Sequence, residues 1–120
     1  MTTANLVISG FGKETKNYVL RKWHDGYGVG DFLATILEGW ALDDLNFSSR
    51  SLVETLTSEA DENDSDFDFE LVAEKEGDGS LETEFQGIFT DWTWHCVFAN
   101  EKQALITGTN GSEVWVKRIG

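Results

Sequence analysis

The sequence predicts an α+β fold: an antiparallel β-meander sheet with one amphipathic helix, at about residues 31–45, packed on one face. Several segments alternate apolar and polar residues with the period of two that is typical of half-buried strands, most clearly 67–74. One segment instead repeats apolar residues at steps of three and four, which is the period of a helix. Glycine-rich and polar turns separate these segments.

The length of 120 residues predicts one domain, which we expect to span residues 1–120. Hydrophobic residues make up 40% of the chain and include eight Phe and five Trp, which is enough to fill a core. The single cysteine, Cys96, excludes an internal disulfide and favours a cytoplasmic location. We expect neither a signal peptide nor a membrane span, because no apolar run approaches about 18 residues.

In the first half of the chain, residues 6–8 and 18–23 are predicted to form two antiparallel strands, followed by a glycine-rich loop at 26–30. Asp31 is expected to cap the helix, because its carboxylate can accept from the first free N–H groups. Gly39 inside the helix costs about 1 kcal/mol relative to Ala, so we expect a close approach to the sheet there. The apolar stripe comprises Phe32, Leu33, Ile36, Leu37, Trp40, Ala41 and Leu45.

In the second half, residues 52–56 fit either a strand or a helical turn, and we favour the strand. Residues 67–74 and 81–89 are predicted to pair as a hairpin, with an odd-numbered loop that keeps the apolar side chains on one face. A further strand is expected at 93–99. The final hairpin turns at Asn110-Gly111, with Ile106 opposite Trp115.

The strongest functional signal is the distribution of charge. Residues 59–84, here called the acidic segment, contain twelve Asp and Glu against one base, Lys75, for a net charge of −11. The whole chain has a net charge of −13, so the remainder is close to neutral. This concentration favours a surface that binds a basic partner, and it disfavours direct binding to nucleic acid or anionic membranes.

If the alternation persists through the hairpin, its outer face displays a row of carboxylates. The residues expected to contact the partner are Asp61, Glu62, Asp64, Asp66, Asp68, Glu70, Glu74, Glu82 and Glu84, with Trp92 as an apolar anchor at the rim. Regularly spaced carboxylates on a rigid hairpin can imitate a phosphate array.

Chemical sites receive little support from the sequence. Residues 61–72 lack the Gly and Glu positions of an EF-hand loop, and two His with one Cys are too few to predict a zinc site. No serine has nucleophile-elbow glycines, and a pairing of Cys96 with His24 has no motif support. The 26–30 loop lacks the spacing of a phosphate-binding motif. We therefore expect no enzyme, cofactor or metal.

The leading hypothesis is a small cytoplasmic inhibitor that blocks a basic, nucleic-acid-handling protein or nuclease, of the phage anti-defence kind. An immunity protein that neutralises a toxin nuclease would use the same mechanism. A different class is a ligand-binding domain or enzyme with a pocket between helix and sheet, lined by Trp23, Trp40 and Trp94. A third is an assembly subunit whose edge strands and aromatic residues form a homo-oligomer.

Overall fold

A computed structural model of the chain describes residues 3–12, 16–58, 68–76 and 91–120. The described part contains six strands, two α-helices and one 3₁₀ turn, which confirms the α+β class. In chain order the elements are β1 (Ala4–Ser9), β2 (Lys16–Lys22), the 3₁₀ turn (Gly26–Gly28), α1 (Val29–Leu42), α2 (Ser49–Ser58), β3 (Phe69–Glu76), β4 (Trp92–Asn100), β5 (Gln103–Asn110) and β6 (Glu113–Ile119).

The six strands form one mixed, mostly antiparallel sheet in the order β3-β2-β1-β4-β5-β6. Two antiparallel three-stranded units, β1-β2-β3 and β4-β5-β6, are joined by a parallel pairing of β1 with β4. The predicted meander therefore describes each half of the sheet but not the central junction. Side-chain alternation is the same in parallel and antiparallel strands, so it does not predict this pairing.

The two faces of the sheet differ in burial. On the helix-covered face, Leu6, Leu20, Trp94 and Ile106 are almost fully buried and belong to the same core cluster as Leu37 of α1. On the opposite face, here called the outer face, Val97, Val114 and Val116 are 42%, 70% and 59% exposed. The main core therefore lies between the two helices and one side of the sheet.

Helix α1 confirms the predicted helix, with shifted ends. It begins at Val29 with Gly28 as the N-cap residue, so the prediction that Asp31 caps the helix is wrong. The 3₁₀ turn leads directly into the helix, and Asp31 lies within its first turn, where a negative charge is favourable. The helix ends at Leu42, which is 88% exposed, so the predicted apolar stripe does not extend to Leu45.

The close approach of α1 to the sheet occurs at Gly30 and not at Gly39. A Cβ atom at Gly30 would lie 2.5 Å from the Trp94 ring and 2.8 Å from the Trp115 ring. At Gly39, an added Cβ would meet no atom of the described residues within 4 Å. The expectation for Gly39 is therefore wrong, because this glycine does not face a packed neighbour.

Helix α2 replaces the strand that we favoured at 52–56. Leu52, Val53 and Leu56 are buried, and their spacing of three and four residues places them on one helix face. The Ser48 hydroxyl accepts a hydrogen bond from the Ser51 N–H at 3.3 Å, which stabilises the first turn. The local sequence fits either a strand or a helix, and the burial of one apolar helix face stabilises the helix.

Strands β5 and β6 form the predicted final hairpin in a different register. The closing pair is Asn110 with Glu113, so the two loop residues are Gly111 and Ser112, and Gly111 has a φ of +57°. Trp115 consequently lies opposite Gly108 and not opposite Ile106. A Cβ at Gly108 would lie 2.3 Å from the Trp94 ring, so the absent side chain leaves room for this indole.

Candidate partner-binding surface

Only part of the predicted partner-binding surface lies within the described residues. Strand β3 places three of the predicted carboxylates, those of Asp68, Glu70 and Glu74. The predicted second hairpin strand at 81–89 lies outside the described residues, as do Asp61, Glu62, Asp64, Asp66, Glu82 and Glu84.

A β-bulge in β3 reverses the orientation of its carboxylates. Val19 of β2 pairs with Ala73, whereas the next residue, Leu20, pairs with Leu71. Val72 is therefore an extra residue without a partner on β2, and the alternation of faces changes there. The register places Glu74 opposite Tyr18 on the helix-covered face and Glu70 opposite Arg21 on the outer face.

This reversal corrects the predicted common face. Strict alternation would place Asp68, Glu70 and Glu74 together, because they are separated by even numbers of residues. The bulge instead places Glu70 and Glu74 on opposite sides of the sheet. The partners of these carboxylates agree with this assignment: Glu74 pairs with Lys16 at the start of β2, and Glu70 accepts from Trp23 just after the end of β2, at an odd spacing from Lys16.

Glu74 is paired with a lysine of the neighbouring strand. The Lys16 Nζ atom lies 3.1 Å from Glu74 Oε1, and the Glu74 side chain remains 50% exposed. An exposed ion pair of this kind contributes only a few tenths of a kcal/mol to stability. The carboxylate of Glu74 therefore remains available to a cation of a partner.

Glu70 belongs to a small polar and aromatic cluster on the outer face. The Trp23 Nε1–H donates to Glu70 Oε2 at 3.0 Å, and the Arg21 guanidinium lies 5.1 Å from the centre of the Trp23 ring. Trp23 is 42% exposed, so its ring covers Arg21 on one side and contacts solvent on the other. This residue is an accessible aromatic side chain next to an acidic one.

Asp68 has a structural role, which differs from its predicted role as a free anionic contact. One of its carboxylate oxygens pairs with Lys22, whose side chain is only 3% exposed, and the other lies 2.5 Å from His24 Nδ1. Lys22 Nζ also lies 5.4 Å from the centre of the Phe69 ring. A buried ammonium group requires a compensating charge, and Asp68 supplies it.

Trp92 does not provide an exposed anchor at the rim. It is only 8% exposed and stacks on Trp94 with ring centres 5.1 Å apart. Strand β4 turns its even-numbered residues toward the helices, so Trp92 belongs to the core with Trp94 and Cys96. The rim assignment is wrong, and Trp23 is the aromatic residue that accompanies the acidic strand.

The three tryptophans proposed to line one pocket do not converge. Trp94 is buried beneath α1, and its Nε1–H donates to the carbonyl oxygen of Gly26 at 2.7 Å. Trp40 packs at the margin of the same core, whereas Trp23 lies with Glu70 on the outer face. Their position on opposite sides of the sheet contradicts the common lining.

The cysteine is buried, and the described residues do not form a metal centre. Burial raises the pKa of the Cys96 thiol to about 12, which opposes formation of the nucleophilic thiolate. Cys96 lies on the helix-covered face and His95 alternates to the outer face. In ranges 3–12, 16–58, 68–76 and 91–120, no group of three or more His, Cys, Asp or Glu is positioned to hold a metal ion.

Within those ranges, no helix has both the length and the apolar character needed to cross a membrane.

Comparison with known protein families finds no matching family model, and comparisons with curated proteins and with solved structures likewise find no match. The function of this chain is therefore inferred from its own charge and geometry.

Proposed function

We propose that this protein is a small binding protein that blocks a basic, nucleic-acid-handling partner through its acidic segment. The observation that carries the proposal is the net charge of −11 within residues 59–84, against −13 for the whole chain. Such a concentrated field attracts a positively charged surface over a distance of about 10 Å and increases the rate of encounter. It also repels nucleic acid, so the expected target is the protein that handles it.

The position of β3 supports this proposal. β3 is at one end of the strand order of the described sheet, and Glu70 and Glu74 are exposed there. A basic partner can reach both carboxylates, although they point to opposite faces of the sheet. The bulge therefore favours a partner that contacts both faces of the sheet at β3 over one that lies flat on a single face.

Trp23 supplies a second element of the proposed contact. A few side chains contribute most of the binding energy at protein interfaces, and Trp is enriched among them. Trp23 is held by Glu70 and lies beside Arg21, so its orientation is established before the partner binds. We expect the partner to cover this indole while its cations pair with nearby carboxylates.

The proposed partner class is a nuclease or another protein with a nucleic-acid-binding groove. A phage inhibitor of a host defence complex is the leading form of the proposal, and an immunity protein against a toxin nuclease is the alternative. The two differ in the identity of the captured protein, a defence component or a toxin. Both require that the acidic segment compete with nucleic acid for the same groove.

The proposal is tested by capture from a lysate of the source with two variants of equal charge. The segment variant carries Glu70→Gln, Glu74→Gln, Glu82→Gln and Glu84→Gln, and keeps Asp68 because this residue compensates Lys22. The control variant carries Asp31→Asn, Asp43→Asn, Glu54→Gln and Glu101→Gln, all at exposed positions elsewhere. Each variant loses four charges from −13 and has a net charge of −9.

We expect the wild type and the control variant to capture the same basic protein, and the segment variant to lose it at moderate salt. Equal loss of capture by both variants would show that total charge, and not the acidic segment, determines binding, and full capture by both would show that these carboxylates do not contribute. Capture of no basic nucleic-acid-handling protein by the wild type would contradict the proposal itself.

A further inference from the structure

Strand β6 has the properties of an interaction edge. It occupies the end of the sheet opposite to β3, and among the described residues it pairs only with β5. Its outer-face residues Val114 and Val116 are 70% and 59% exposed. An apolar edge strand with one unpaired side is a template for another strand.

The backbone of β6 presents its outward groups at alternate residues. In a two-residue hairpin, the two residues that close the loop form both backbone hydrogen bonds with each other. Along the two strands from there, hydrogen-bonded residue pairs alternate with pairs that are not hydrogen-bonded. The closing pair is Asn110 with Glu113, so Trp115 and Lys117 also bond to β5. The N–H and C=O groups of Val114 and Val116 therefore point away from the sheet.

We propose that β6 pairs with β6 of a second copy of this chain, antiparallel and centred on Trp115. In this register, Val114 of one copy lies opposite Val116 of the other, and both contribute outward backbone groups. Glu113 likewise lies opposite Lys117 of the second copy. The sequence Glu-Val-Trp-Val-Lys is thus complementary to itself when its direction is reversed, with two valine pairs and two opposite-charge pairs.

The contacts within one chain leave these side chains available. Glu113 is exposed, and Lys117 is 43% exposed although its Nζ atom lies 2.9 Å from Glu38. An ammonium group has three donors and can serve both carboxylates. Trp115 packs edge-on against Trp94 with ring centres 5.4 Å apart, which holds the centre of β6 in place.

The distribution of charge also favours self-association at β6, because this strand lies far from the carboxylates of β3. The strand order places β6 five strand spacings from β3, or about 24 Å, which exceeds the screening length of about 8 Å at physiological salt. Glu70 and Glu74 of the two copies would therefore lie at opposite ends of a continuous sheet formed by the described strands of both copies. Repulsion between these carboxylates across the dimer is therefore strongly screened.

Pairing about a two-fold axis uses the same strand in both copies, so it closes at a dimer. This inference is independent of the proposed function, because it uses the edge far from β3. If both hold, the dimer presents the Glu70 and Glu74 carboxylates of its two copies to partners at opposite ends. Loss of the dimer would leave capture by a single chain unaffected.

The test is sedimentation equilibrium of the purified chain across a range of concentrations, with charge variants of β6. We expect the mass to rise from 13.4 kDa toward twice that value as concentration increases. Glu113→Lys places a lysine at position 113 of each copy opposite Lys117 of the other copy. These two like-charge pairs should weaken the dimer about tenfold. Combining Glu113→Lys with Lys117→Glu restores opposite charges and should recover most of the loss.

A second variant tests the backbone hydrogen bonds that β6 would form with the second copy. Val116→Pro removes an N–H that points outward, so it should abolish the dimer while the β5 hydrogen bonds and the far-ultraviolet circular dichroism remain. Val116→Thr keeps this N–H and should preserve the dimer. A monomer at all concentrations up to about 1 mM, or a dimer insensitive to Glu113→Lys and Val116→Pro, would overturn the inference.

Discussion

The buried ammonium group of Lys22 is paired with the carboxylate of Asp68, which joins the end of β2 to the residue before β3. Asp68 belongs to the acidic segment, yet its charge serves the fold. Its second oxygen also contacts His24, so the carboxylate is enclosed by two side chains of the chain itself. The acidic segment thus contains both structural and accessible carboxylates, and only the accessible ones are suited to a partner.

If Asp68 compensates the buried charge of Lys22, replacing Asp68 alone should destabilise the fold much more than replacing both residues. Asp68→Ala should lower the free energy of unfolding by roughly 3 kcal/mol, because it removes the carboxylate that is paired with a buried ammonium group. Adding Lys22→Met should recover much of this loss, since an apolar side chain then fills the site. Urea unfolding at pH 7 measures both. A loss below about 1 kcal/mol for Asp68→Ala would contradict the structural role of this carboxylate.

Gly30 and Gly39 provide a matched pair within α1. Gly30→Ala should destabilise the fold by about 1–3 kcal/mol, because the new methyl group would overlap the rings of Trp94 and Trp115. Gly39→Ala faces open space and should stabilise by up to about 1 kcal/mol through helix propensity. Thermal unfolding of the two variants in one buffer compares them directly. Equal effects of the same sign would refute the packing assigned to Gly30.

Cys96 should be inert to thiol reagents in the folded protein. Burial raises its pKa from 9.0 to about 12, so almost no thiolate exists at pH 8. Because the folded pKa is the higher one, this thiol stabilises the fold fully below pH 9, and the contribution is lost as pH rises toward 12. The rate of modification with Ellman's reagent should increase sharply when urea unfolds the chain. Rapid modification under native conditions would disprove the burial of Cys96.

Because Trp92 is buried and Trp23 is half exposed, replacing each with alanine should lower the stability of the fold by different amounts. Trp92→Ala should destabilise by about 3–5 kcal/mol, because it removes a buried ring stacked on Trp94. Trp23→Ala should cost less than about 1 kcal/mol, since its ring is half exposed and loses mainly the contacts to Arg21 and Glu70. Guanidinium unfolding of both variants tests this order, and a larger loss for Trp23→Ala would reverse the two assignments.

Much of the fold follows from local patterns in the sequence. Alternation predicts β1, β2, β3, β4 and the final hairpin, and three- and four-residue spacing predicts α1. The hairpin is predicted by Asn110-Gly111, but the structure turns one residue later. This shift retains the faces of all side chains and changes only which residues lie opposite each other, so alternation is insensitive to it.

Other features depend on contacts between distant residues. The parallel pairing of β1 with β4 has no local signature, and α2 is helical because Leu52 and Leu56 meet the sheet from one helix face. The bulge at Val72 depends on the register with Val19 and Leu20. This bulge determines which carboxylates share a face, so the charge of the acidic segment is predictable from the sequence but its geometry is not.

Binding by the acidic segment is tested most directly by competition. The captured basic protein is bound to a labelled nucleic acid that it recognises, and increasing amounts of wild type, segment variant or control variant are added. We predict that wild type and control variant displace the nucleic acid at similar concentrations, whereas the segment variant requires at least about tenfold more. Equal displacement by all three, or binding of the partner without any displacement, would contradict inhibition through the acidic segment.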